Sequence, residues 1–253
     1  MNKVGVLCEE RLIFRMKKTE KTGNKLQDYI EENPFMLTKD AVYLILRQKL
    51  LKDQFPSGKR INVSLLSDQL KVSRTPICNA LDTLEKRGLV YRKDGKPGYF
   101  PFEATRDNIE DLFYARKVIE GHATFLFTLH RKDADLNKLR DLAMDFKRCF
   151  TEGDFSHFDE IDMGFHQEIV RSCKNHYLGA MYESINDTTR FIESRMRNIL
   201  MAQNFGNKIG SFSLQHVNIY YAIKMGFASL AMQASDSHID SCVDFIRRYY
   251  DDY

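Results

Sequence analysis

Four residues in the second half of the chain have the types and spacing to hold a transition metal. Asp162 and His166 stand four apart in AspMetGlyPheHis, so on a helix they share a face. His216 lies 50 residues beyond His166, and His238 another 22. One carboxylate and three imidazoles suit Zn²⁺ or Ni²⁺, with coordination positions left for water or a ligand. Taken singly, each is ordinary: an Asp-x₃-His pair is common by chance, and a lone histidine is more often a hydrogen-bonded or surface residue than a ligand. His122, His130, His157 and His176 stay in that ordinary class.

A second group belongs to different chemistry. Ser73, Arg74 and Thr75 open a helix expected over 74–87, in which Ile77, Ala80, Leu81 and Leu84 recur at helical spacing and turn inward. The opposite face carries Arg74, Thr75, Cys78, Asn79 and Asp82. Hydroxyls and backbone N–H groups at a helix N-terminus bind phosphate, and a guanidinium there can fork onto guanine. A short helix from about Ser64 to Leu70 and a turn at 71–73 precede it, which is the helix-turn-helix arrangement. Two strands are expected at Leu89–Arg92 and Tyr99–Phe102, joined by turn residues 93–98. Arg92, Lys93 and Lys96 cluster there around Gly95 as a basic wing.

These groups need scaffolds of two kinds. A helix from about Thr38 to Lys52, closed by Pro56 and Gly58, completes the first half. From Asn108 onward no strand pattern is visible, and six helices are expected: 108–131, 134–152, 155–173, 177–202, 211–226 and 228–250. Each later metal-type residue falls on its own helix. The expected fold is mainly α, an N-terminal winged helix-turn-helix followed by an all-α ligand-binding bundle. Its divisions are an N-terminal extension of unclear structure (1–37), a DNA-binding domain (38–102), a linker (103–107) and a helical domain (108–250). Within the extension, Leu12–Phe14 suit a short strand.

Charge agrees with this division. Residues 1–104 hold 20 Lys and Arg against 13 Asp and Glu, while residues 105–253 hold 18 against 22. A basic front and an acidic back point the front at a polyanion. The five cysteines are scattered and form no CxxC pair, which fits reduced thiols in a cytoplasm. No apolar run approaches the ~20 residues of a membrane span, and Glu9 and Glu10 interrupt any secretion signal.

The run LeuLysValSerArgThrPro (70–76), then AlaLeu (80–81), LeuGlu (84–85), GlyLeuVal (88–90) and GlyLysProGly (95–98), resembles the DNA-binding domain of the GntR family of bacterial regulators. LeuArgGlnLysLeu (46–50) and PheProSerGlyLysArgIle (55–61) fit its first helix and turn. The resemblance implies that Arg74 reads a base, with Ser73, Thr75, Gly95 and Lys96 near phosphates or groove edges. Cys78 and Asn79 stand where that family usually has arginine and glutamate, and Ser64 where it often has a DNA-touching arginine. Two cationic contacts are thereby lost, with Lys71, Lys93 and the N-terminal arm as the compensating candidates.

The second half, opening with AspLeuPheTyrAlaArgLysValIleGlu (111–120), resembles the FCD subfamily, the ligand-binding domain of the FadR-type branch. That resemblance implies a metal held by Asp162, His166, His216 and His238, and a small carboxylate effector met by Arg116. It also implies a homodimer on a palindromic double-stranded operator, and a regulator in place of an enzyme. The alternative for Arg116 is an i,i+4 ion pair with Glu120 on a helix surface. Two alternatives remain open from sequence: a metal-responsive regulator without organic effector, and a metal-dependent hydrolase carrying a DNA-binding module.

Overall fold

The structure, a computed structural model, describes Leu26 and residues 36–52, 54–202 and 210–250. The expected strand at 12–14, the N-terminal arm and the expected break at 205–210 lie largely outside those residues. The elements with described bounds are α1 (Thr38–Leu51), α2 (Val63–Leu70), α3 (Arg74–Lys86), β1 (Val90–Lys93), β2 (Lys96–Pro101), α4 (Arg106–His130), α5 (Asp133–Glu152), α6 (Phe158–Ser172), α7 (His176–Ala202), α8 (Gly210–Met225) and α9 (Ala228–Tyr249). The fold is mainly α with a two-stranded wing. Among the described residues, no helix is long and apolar enough to cross a membrane.

By contact the chain forms two compact units, Met1–Leu46 with Asn62–Ala80 and Arg47–Ile61 with Leu81–Tyr253. In the first, Asn62 caps α2: its side-chain oxygen accepts the Leu65 N–H at 3.0 Å, supplying one of the donors a helix start leaves unpaired. The chain leaves α2 through Lys71, whose φ of +54° lies in the left-handed region. The Ser67 hydroxyl donates to the Val72 carbonyl at 2.6 Å and holds the turn. Leu66, Leu70, Ile77 and Ala80 are buried, as the periodicity requires.

The second unit contains the wing and the bundle. β2 begins at Lys96, so the turn is Asp94–Gly95 and not the six residues expected. Gly95 adopts a positive φ of +70°, which glycine accepts without steric cost. The strands pair Val90 with Pro101, Tyr91 with Phe100 and Lys93 with Lys96, with an irregularity between Tyr91 and Lys93. Pro97 and Gly98 cause it: proline offers no N–H to the ladder, and Gly98 sits at φ +117°.

In the bundle, α4 packs against α6, α7, α8 and α9, while α5 packs against α6 and α8. The core collects Phe127, Leu139, Phe165, Ile169, Tyr220 and Ile223, among others. The buried stripe of α4 runs Ile109, Phe113, Arg116, Glu120, Ala123, Phe127. Two ionisable side chains thus occupy core positions of a central helix.

Candidate metal centre and nucleic-acid interface

Each helix brings its histidine inward by the same rule of spacing. On α6, Asp162, Phe165, His166 and Ile169 are buried; on α8, His216, Ile219, Tyr220 and Ile223; on α9, Ala231, Ser235, His238 and Cys242. The three imidazole rings meet with centroids 4.8–5.2 Å apart, and one nitrogen from each lies within 4.8 Å of the others. One oxygen of Asp162 lies 3.4 Å from His216 Nε2 and 3.8 Å from His166 Nε2. All four sequence-expected ligand residues therefore converge.

The surroundings fix how the rings present themselves. His166 Nδ1–H donates to Glu120 at 2.6 Å, which turns Nε2 to the centre. His238 Nδ1–H donates to Gln215 Oε1 at 2.7 Å, and the Gln215 amide in turn donates to Ser241 Oγ. Such outer partners orient ligating imidazoles and select their tautomers. His216 has no hydrogen-bond partner to orient it: its ring stacks on Phe165 at 4.1 Å and lies against Phe146 at 4.0 Å.

Three ring nitrogens here, His166 Nε2 and both nitrogens of His216, are buried with no hydrogen-bond partner. Leaving such groups unpaired costs about 1–3 kcal/mol each, and a cation would remove that cost at His166 Nε2 and at one nitrogen of His216. Ligand atoms about 2.0–2.2 Å from a zinc ion stand about 3.4 Å apart in a tetrahedron, close to the two Asp162 distances. The donor set fits a divalent transition metal.

Electrostatics agree with that fit at two of the three rings, while His166 holds a proton that a metal would have to displace. Burial, followed by the neighbouring His238 and His166, pushes His216 well below its usual pKa. Burial and His166 likewise lower His238 to about 3. Both are neutral imidazoles, the form that ligates. Burial opposes the charge on His166 also, but Glu120 and Asp162 outweigh it and raise that ring to about 9. Burial alone would raise Asp162, yet His166 and Arg116 hold it below the usual carboxylate range.

The structure places Arg116 inside, 1% exposed. Its Nε donates to Glu120 at 2.5 Å and its Nη1 to Glu193. The i,i+4 partner foreseen from sequence is present, but the pair is buried. Glu193 escaped the sequence reading, although a signal existed: Tyr182, Asn186, Thr189, Glu193 and Met196 form one stripe along α7 at spacings of three and four. One Glu193 oxygen lies within 4.8 Å of donor atoms on Asp162 and His166. Burial raises its pKa to about 7 despite Arg116. Gln215 carried no comparable signal.

One turn and a half before Glu193, α7 presents Asp187 to a second set of guanidinium groups. Arg47 donates from Nε at 3.0 Å and from Nη2 at 2.5 Å, a forked and buried pair. Arg87 approaches the same carboxylate at 3.8 Å, and its backbone carbonyl accepts from Thr188 Oγ1 at 3.3 Å.

At the start of α3, Ser73, Arg74, Thr75 and Asn79 are exposed and Cys78 is half-buried. Arg74 Nη2 donates to Ser64 Oγ at 2.9 Å, so the serine found in place of an arginine braces the neighbouring guanidinium. On the wing, Gly95 and Lys96 are exposed at the turn. The other two wing cations are engaged internally. Arg92 pairs with Asp82 at 2.5 Å and Glu85 at 3.2 Å, and Lys93 with Glu103 at 2.8 Å. The acidic residues that claim them come from outside the hairpin turn, which strand pattern alone does not reveal. Cys78, Cys149, Cys173 and Cys242 are free thiols.

Comparison with known proteins finds two family matches. The model of bacterial regulatory proteins of the gntR family matches residues 38–100, and that of the FCD domain matches residues 111–241. The chain is 24% identical over 213 residues to the HTH-type transcriptional regulator LutR of Bacillus subtilis, covering 78% of this chain and 95% of that protein. It is 29% identical over 182 residues to the Nta operon transcriptional regulator of Aminobacter aminovorans, covering 66% and 85%. Among solved structures, Escherichia coli McbR/YncC superposes with a TM-score of 0.64 at 16% identity, over 85% of this chain and all of that one.

Proposed function

We propose that this chain, which belongs to the gntR family of bacterial regulatory proteins and carries the FCD domain, is a DNA-binding transcription regulator controlled through a divalent metal centre in its helical part. The family is one of regulators and not of enzymes, which sets the hydrolase alternative aside. The observation that carries the metal reading is the meeting of Asp162, His166, His216 and His238 in the core, where His166 Nε2 and His216 Nε2 are buried without a hydrogen-bond partner.

In this reading residues 38–102 bind DNA. The exposed start of α3, Ser73 to Asn79, enters the major groove, with Arg74 forked onto a guanine and its aim steadied by Ser64. Gly95 and Lys96 meet the phosphate backbone. A homodimer in the cytoplasm sets two such heads on a palindromic operator. The helical part, 108–250, holds Zn²⁺ or Ni²⁺, and a small carboxylate effector binds at the ion. Glu120 and Gln215 keep His166 and His238 aimed at the centre, and Phe146 and Phe165 keep His216 in place. One observation favours a second reading, in which metal alone is the signal: Arg116, the group expected to grip the effector, already holds Glu120 and Glu193.

The test begins with an operator selected from random duplexes. Fluorescence anisotropy then compares chelator-stripped with zinc-loaded protein. Coupling between two sites is typically worth about 5- to 150-fold in affinity, so a change of that size is expected, absent in His216→Ala. Equal affinity in both states, with or without a carboxylate panel, refutes control through the centre. Arg74→Ala should relax preference at one base pair by about 1–3 kcal/mol; unchanged preference refutes its role.

A further inference from the structure

We propose that Glu193 is the chain's own acid at the place where an organic acid would otherwise sit, satisfying Arg116 and facing the metal centre, so that an external carboxylate binds only by displacing it. This rests on the metal-centre reading above and adds to it a residue that selects what the centre accepts.

Three observations lead there. First, Arg116 has no outlet to solvent and is joined to two carboxylates, Glu120 through Nε and Glu193 through Nη1. A forked grip on an incoming carboxylate needs two N–H groups on one edge of the guanidinium, and Glu193 takes one that such a ligand would use. Second, Glu193 is within ligand spacing of both Asp162 and His166, so one side chain addresses the guanidinium and the centre together, as an effector carboxylate would. Third, the members of this cluster differ in access. Arg116, Glu120, His166 and His216 are at most 2% exposed, whereas the Glu193 side chain is 20% exposed. Among the acids of the cluster Glu193 has the widest path outward, with Asp162 next at 12% and Glu120 enclosed.

Charge makes displacement the route. Metal ligation requires neutral imidazoles. A divalent cation and Arg116 then balance the carboxylates of Asp162, Glu120 and Glu193. A fourth carboxylate added beside them would leave uncompensated negative charge in a buried site, which is costly. Exchanging Glu193 for an external acid keeps the balance. The chain is thereby complete with metal alone, and organic acids compete with an internal group of high effective concentration.

The experiment uses the full chain, zinc and acetate, the fragment that Glu193→Ala removes. Zinc affinity is measured by competition against a chromophoric chelator, with and without excess acetate. Loss of a group that supports a metal site typically costs about 10- to 100-fold in affinity. Glu193→Ala should weaken zinc binding by that factor and recover most of it in acetate. Wild type should not respond to acetate. Glu193→Gln, which keeps the size of the side chain, should be weakened with no recovery, and it decides the matter if the alanine variant does not fold. Undiminished zinc affinity in both variants, or acetate tightening wild type as much as Glu193→Ala, overturns the proposal. His216→Ala separates the two levels. If it binds zinc like wild type, the metal-centre reading itself has failed. If it loses zinc while the Glu193 variants do not, only the role of Glu193 has failed.

Discussion

Replacing His216 with phenylalanine should reverse the usual consequence of altering a fully buried residue. The His216 ring is completely enclosed, stacked on Phe165 and against Phe146, and neither nitrogen has a partner. A phenyl ring keeps both aromatic contacts and removes the unpaired polar atoms, which cost about 1–3 kcal/mol when buried. The extra ring atom works against this gain, since overpacking a core costs about 1–3 kcal/mol. In chelator, His216→Phe should therefore lie within about 1 kcal/mol of wild type, or above it, by the difference of these terms. Zinc at a hundredfold its Kd adds about 2.7 kcal/mol to a protein that binds it only when folded. Wild type should gain that amount and the variant, short of a ligand, almost none. Urea unfolding followed by circular dichroism, with chelator and with zinc, measures both gaps. The reasoning is refuted if the gap between the proteins is the same in both conditions. A loss above about 3 kcal/mol in chelator would show that the His216 nitrogens are satisfied within the metal-free protein.

Two further changes test the packing around α7. Asp187→Asn removes the carboxylate charge that Arg47 grips in the buried fork, with Arg87 and Arg190 close by. Breaking such a pair costs about 3–5 kcal/mol, to be read from the urea midpoint, and a loss below about 1 kcal/mol would assign the pair the weight of a surface bridge. Gly88→Ala meets two penalties together, a positive φ of +74° and a Cβ placed 2.8 Å from Thr188 Oγ1. The backbone term alone is about 1–2 kcal/mol, so a fall in stability of at least that size is expected in the same assay, and an unchanged midpoint contradicts it.

Much of this protein was legible in the order of its residues. Helical spacing put Asp162 and His166 on one face of α6 and turned Ile77, Ala80, Leu81 and Leu84 inward on α3, because a helix repeats every 3.6 residues whatever surrounds it. The same local rule set α8 and α9 as separate helices, each with one histidine. The turn at Asp94–Gly95 was less legible, since Pro97 and Gly98 read as turn residues until pairing with β1 absorbed them as an irregularity.

What packing alone decided is which faces meet. Periodicity states that Glu120 and Glu193 lie on the inner stripes of α4 and α7, but not that Arg116 joins them or that His166 leans on Glu120. The orienting role of Gln215, the capture of Arg92 and Lys93 by Asp82, Glu85 and Glu103, and the Arg47–Asp187 pair are of the same kind. Residues 140 positions apart in the last case have no local signal to link them. Each partner is chosen by the joint packing of several helices, a cooperative outcome that dense side-chain interlocking imposes only once the whole core has closed.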